Sequence, residues 1–141
     1  MLNQKGTTIL ELMLVVVIIG VLSMVSMTEY FKVHDRAYVG AAINDLKVFK
    51  TAISMHDAEW GIFPPDPANS MVALVNQLRD PFGMPYIEPP SGDNWRSFTY
   101  IPPAAGDLTG DYSLTVVCND HSSTQITMHW NADMEIVKLG H

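Results

Sequence analysis

The stretch that most restricts this chain is the apolar run from Ile9 to Met27, entered through a short polar leader that contains Lys5 and Gly6. Leu, Val, Ile and Met dominate the run, and Glu11 is its one charged residue. At about 1.5 Å per helical residue the run spans roughly 28 Å, close to the ~30 Å hydrocarbon core of a bilayer. It reads as a membrane-spanning helix. Lys5, the only flanking base on that side, favours a cytoplasmic N-terminus, with the remainder of the chain across the membrane.

Glu11 is the anomaly. A carboxylate at the bilayer centre costs at least about 2.5–3.5 kcal/mol. Two readings follow: near the helix start the side chain snorkels to the interface, or it waits for a cation supplied by another molecule. A cleavable secretory signal fits poorly, since the run exceeds the usual 7–15 apolar residues and Ser23 to Thr28 make a poor small-x-small site. A plain signal anchor is the remaining simple alternative.

Beyond Thr28 the helical pattern continues. Glu29 to Asp57 contains no proline, and Gly40 is its only glycine. Ala42, Leu46, Phe49 and Ile53 recur at three- and four-residue spacing, with Trp60 extending the line, while Arg36, Asn44, Lys47, Ser54 and Asp57 fall largely elsewhere. This predicts an amphipathic helix with one buried stripe, Phe49 and Trp60 being core residues. The whole helix would run some 50 residues, roughly 80 Å. Gly61 and Pro64-Pro65 end it. Asn69 or Ser70 caps a short helix from Met71 to Leu78, and Asp80-Pro81-Phe82-Gly83-Met84-Pro85-Tyr86 makes a rigid turn. Residues 88 to 94 read as an exposed loop. Ser97–Ile101, Tyr112–Cys118, Thr124–Trp130 and Met134–Lys138 read as strands separated by turn residues, so an antiparallel meander lies over the apolar stripe of the helix. The fold class is α+β, a long N-terminal helix packed under a small antiparallel head.

Charge narrows the partners. The net charge is −7; from Glu29 to Asp57 acids and bases balance, whereas beyond that only Arg79, Arg96 and Lys138 oppose the acids. An acidic head lacks the Lys/Arg surface that neutralises phosphates, which argues against nucleic-acid binding. Cys118 stands alone, so no intrachain disulfide can form, and a free buried thiol is the expected state. Cys118 and His121, with His129 further on, lack the second ligand pair of a structural zinc site. No nucleophile elbow and no phosphate loop appear. An enzyme reading has no positive support.

Lys5-Gly6, then Thr8, two aliphatics and Glu11 ahead of the apolar run resemble the class III signal of type IV pilins and type II secretion pseudopilins. Gly61-Ile62-Phe63-Pro64 resembles the exit from the long pseudopilin helix. Asp80 to Tyr86 is similar to an Asp-Pro-aromatic-Gly-x-Pro-Tyr signature of the major pseudopilin. The resemblance implies that a prepilin peptidase, recognising Lys5 and Gly6, cuts between Gly6 and Thr7 and that Thr7 is N-methylated. It implies that Glu11 pairs with the Thr7 ammonium of a neighbouring subunit, and that Gly20 sits where the helix loosens in filaments. Thr7 departs from the usual phenylalanine, and Thr28 stands where many members carry a kinking proline. The implied organisation is a leader over 1–6, a membrane half-helix over 7–28, an amphipathic half-helix over 29–60 and a head over 61–141. The implied partners are other copies or related subunits, the prepilin peptidase, an assembly platform in the bacterial inner membrane and membrane lipid, with the head in the periplasm before assembly. The class also implies a calcium ion in a C-terminal loop; Asp107 and Asp111 are candidates, although solvated turn carboxylates explain them as well and the EF-hand spacing is absent. No other cofactor is implied. The expected function is that of a pseudopilin, with an extracellular pilus subunit as the nearest rival and a membrane-anchored domain that never polymerises as another.

Overall fold

The computed structural model describes residues 8–90, 94–104 and 110–139. The chain forms two units, Met1–His34 and Asp35–His141, and one helix, α1 (Ile9–Trp60), contributes to both.

In the first unit, α1 starts where Thr8 caps it. The Thr8 carbonyl accepts the N–H groups of Glu11 and Leu12, and its hydroxyl also accepts from Glu11 N at 3.3 Å. From Ile9 to Met27 the large apolar side chains are exposed. The most apolar stretch of α1 is uncovered among the described residues and is long and apolar enough to cross a membrane. The hydroxyls of Ser26 and Thr28 bond back to the Leu22 and Val25 carbonyls at 2.8 and 2.9 Å, which satisfies them without water. The helix passes through Gly20 and Thr28 without interruption.

The second unit holds the core. Along α1, Ala42, Leu46, Phe49, Ala52, Ile53 and His56 are buried, one stripe at helical spacing. Beside it lie α2 (Met71–Gln77), capped by Ser70 through its hydroxyl to Ala73 N, and a sheet of β1 (Trp95–Ile101), β2 (Ser113–Cys118), β3 (Gln125–His129) and β4 (Glu135–Val137). The sheet is a pure antiparallel meander in the order β1-β2-β3-β4, with Phe98 opposite Val116 and Leu114 opposite Met128. Burial alternates strictly along β2 and β3, as one covered sheet face requires. Phe49 of α1 meets Phe98 of β1 with ring centroids 5.2 Å apart.

The α+β architecture expected from the pattern is therefore present, with strand ends differing by one or two residues. Trp60 is a correction. It is 50% exposed, not core, and its indole donates to the Arg79 carbonyl at 3.0 Å. The stripe turns inward at His56 instead, whose Nδ1 lies 2.9 Å from the Ile62 carbonyl. α1 ends at Gly61, which takes φ +68° and donates to the Asp57 carbonyl.

Phe63, Tyr112, Trp130 and Tyr100 form an aromatic cluster with centroids 5.4–5.9 Å apart. Gly110 beside it has φ +65°, and the Phe63 ring occupies the space a Cβ would need, so any other residue there would strain the backbone and displace the ring. Tyr100 donates its hydroxyl to the Pro64 carbonyl.

Two outcomes are expected. Phe49→Ala, made where the ring is fully buried, should destabilise the second unit by about 3–5 kcal/mol, read as a lower denaturant midpoint of tryptophan fluorescence. Burial, then the Asp120 charge, push the Cys118 thiol from the usual 9.0 up to about 11; burial raises Tyr100 and Tyr112 as well. The native chain then holds these protons more tightly than the unfolded chain. Stability should be intact below about pH 9 and fall as pH rises through about 11, and Cys118→Ala should lessen that fall.

Candidate functional site

Glu11 occupies the first turn of α1. Thr8-Ile9-Leu10-Glu11 has the spacing of a capping box, and the half of it formed by the Thr8 hydroxyl and Glu11 N–H is made. The signal was legible in the sequence but was not used in predicting where α1 begins. Its consequence is electrostatic: the N-terminal end of a helix carries about half a positive charge, so a carboxylate there is less costly than at mid-span. The side chain is exposed, available to a cation from outside the chain. Lys5, Gly6 and Thr7 lie outside the described residues. Gly20 has nothing within 4 Å of a hypothetical Cβ, so no steric contact among the described residues demands a glycine.

The second feature is the loop from Arg79 to Tyr86. Asp80 organises it: its Oδ1 accepts from Phe82 N at 2.9 Å and Met84 N at 2.7 Å, and its own N–H donates to the Met84 carbonyl. Gly83 takes φ +85°, which the turn needs and a side chain would resist. Arg79 clamps the loop from outside, donating to the Gly83 carbonyl at 2.8 Å and to Asn76. Two contacts tie the loop to the end of α1. Trp60 donates to Arg79, and the Tyr86 hydroxyl donates to Glu59. Desolvation and that carboxylate push the Tyr86 phenol up to about 12. The rigid turn expected from the sequence is present; the Trp60 and Glu59 anchors are long-range contacts, and local spacing does not predict them.

Of the calcium candidates, Asp111 stands 3.7 Å from His129 Nδ1, and Asp107 lies outside the described residues. Among the described residues no group of three or more His, Cys, Asp or Glu is placed to hold a metal. Those residues do not assemble the six to eight oxygens calcium takes. Cys118 is buried and reduced. Asp120, in the adjoining turn, accepts from the N–H and hydroxyl of Thr124 at 2.7 and 2.6 Å, and His121 N donates to Asp35. This segment is a structural turn that seats α1 against the sheet.

The chain is similar to the type IV major pilin protein PilE of Neisseria gonorrhoeae, 34% identical over 76 residues, which cover 54% of this chain and 46% of the pilin. It is similar to the type II secretion system core protein G of Pseudomonas aeruginosa, 30% identical over 99 residues, 70% of this chain and 63% of that protein. The fimbrial protein EcpB of Eikenella corrodens is 35% identical over 84 residues, 60% of this chain and 53% of its own length. The chain spans about half the length of the curated relatives it matches. No family model and no solved structure matches it. The fold, a long N-terminal helix with a small antiparallel sheet, is pilin-like, and in sequence the chain is similar to pilins, fimbrial proteins and a secretion-system core protein. Its relatives are pilins, fimbrial proteins and a secretion-system core protein, structural proteins and not enzymes.

Asp80→Ala should release the N–H groups of Phe82 and Met84, at a local cost of about 1–3 kcal/mol. Hydrogen exchange should speed up at residues 80–86 and stay unchanged along α1.

Proposed function

We propose that this chain is a structural subunit of a pseudopilus in a type II secretion-like system. The observation that carries this is the exposed apolar half of α1, with its single carboxylate in the first turn. Nothing among the described residues covers that surface. Each fully buried Leu, Ile or Val is worth about 1.5–3 kcal/mol, so the segment must be surrounded by lipid or by equivalent helices of other copies. A subunit that passes from one environment to the other keeps its apolar helix satisfied throughout. It is stored in the bacterial inner membrane with the head in the periplasm, and is drawn from there into the filament by an assembly platform.

Glu11 supplies the register. In this reading a prepilin peptidase cuts between Gly6 and Thr7, guided by Lys5 and Gly6, and the N-methylated Thr7 ammonium of one subunit meets Glu11 of another. A buried carboxylate left without its cation costs several kcal/mol, so a subunit out of step is rejected. Gly20 then provides a weak point, since glycine is about 1 kcal/mol less favourable than alanine within a helix, and α1 loosens there as subunits pack. The secretion-system reading is preferred to an extracellular pilus because of the Asp80–Tyr86 turn, and because the match to the secretion core protein extends over the largest share of the chain among the relatives described. The pilus reading draws on the similarity to the major pilin.

Glu11→Gln should leave membrane insertion intact and abolish filaments, scored by electron microscopy in cells carrying the assembly machinery. Normal filaments with Glu11→Gln would contradict the pairing. Gly20→Ala should still insert and should lower filament yield.

A further inference from the structure

The apolar run of α1 stops at Met27, and the turn that follows is built differently. Glu29 and Lys32 pair with each other, Lys32 Nζ standing 2.7 Å from Glu29 Oε1, so their charges cancel within the helix. Tyr30, Phe31 and Val33 are exposed. Tyr30 meets Phe31 edge-on with ring centroids 6.1 Å apart, and its ring lies 5.9 Å from that of His34. At about 100° per residue, Val33, Tyr30, His34 and Phe31 take one side of the helix and the Glu29–Lys32 pair takes the other. One side of this turn is therefore aromatic and apolar, and the other is charged but neutral in sum.

Position along the axis identifies what the aromatic side meets. Ile9 to Met27 spans roughly 28 Å, the depth of a hydrocarbon core. Tyr30 and Phe31 follow about 4.5–6 Å further on, at the level of lipid headgroups. Tyrosine collects at that level, its ring in the apolar layer and its hydroxyl in the polar one. Because Lys32 is already neutralised by Glu29, the contact needs no net charge on the lipid. We propose that the Tyr30–Phe31 side of α1 docks on the lipid interface and tilts the membrane segment toward that side, with the Glu29–Lys32 side turned to water. Interfacial anchors set helix tilt in this way. The inference rests on the membrane-stored state of the proposed function and adds to it a surface that fixes how the helix stands in the bilayer.

Two positions read the tilt. Met27 precedes Tyr30 by three residues and Phe31 by four, so it shares their side, whereas Val25 precedes Glu29 by four and Lys32 by seven and shares theirs. In an upright helix Val25 is the deeper of the two by about 3 Å; in the tilted helix Met27 is at least as deep. The test places a nitroxide on full-length Met27→Cys, Val25→Cys and Val16→Cys, each combined with Cys118→Ala, in phosphatidylcholine vesicles. Depth is read from relaxation by oxygen against a water-soluble nickel complex. The Met27 label should lie at least as deep as the Val25 label, and adding Tyr30→Ser with Phe31→Ser should make Val25 the deeper. Val25 deeper from the outset, or an order that the serines leave unchanged, would overturn the anchor, while a Val16 label buried in the core would keep the spanning helix. A Val16 label open to the nickel complex would overturn the spanning helix and the anchor with it. A Met27 spectrum broadened by neighbouring spins and sharpened by unlabelled chain would give the aromatic side to a second copy and overturn the lipid contact.

Discussion

Everything in this chain depends on one unsatisfied surface, the apolar half of α1 from Ile9 to Met27, exposed along its length. Water is excluded as its medium by the size of the hydrophobic term. Its backbone is satisfied within the helix, as lipid demands, and even its hydroxyls at Ser26 and Thr28 bond internally. The backbone of the segment is self-sufficient in hydrogen bonds, and what the segment lacks is apolar contact. That combination suits a helix that moves between lipid and a bundle of its own kind. Either medium supplies the missing contact, and neither has to supply a polar partner except at Glu11.

The Asp35–His141 unit solves the opposite problem. Its part of α1 has a single buried stripe, and four short strands with α2 suffice to cover it. The head carries at its surface a locked loop and an exposed aromatic ring. Its interior is mainly aliphatic and aromatic, the buried His56, Asp120 and Thr124 are hydrogen-bonded, and Tyr112's hydroxyl is the one buried side-chain polar atom lacking a partner among the described residues. Among the described residues no group of His, Cys, Asp or Glu is placed there to form a metal shell.

Much of this was legible before any coordinates. Apolar periodicity marked α1 and its stripe at Ala42, Leu46, Phe49 and Ile53, and alternation marked β2 and β3, because one-sided burial writes itself into spacing. Gly61 marked one helix end and Asn69 or Ser70 another through capping chemistry, and Ser70 is the cap that forms. The failure at Trp60 is instructive. The helical period extended the stripe one turn too far, past the point where the chain leaves the core, and an indole N–H that reached the Arg79 carbonyl decided its place instead. The anchoring of the Asp80 loop by Glu59 and Trp60 spans 19 to 27 residues, and no local pattern encodes such pairings. The Thr8–Glu11 capping box was legible and its meaning is local. The partner proposed for Glu11 lies outside the chain and rests on resemblance and charge, which no contact within the chain encodes.

The central claim is that the chain is processed into a subunit whose new amino terminus answers Glu11. Mass spectrometry of the N-terminal peptide, from cells with and without a prepilin peptidase, tests it most directly. The account predicts a peptide that begins at N-methylated Thr7, present only with the peptidase. A chain that still begins at Met1 in the presence of the enzyme, or one cut near Met24, would contradict it and leave Glu11 without a partner.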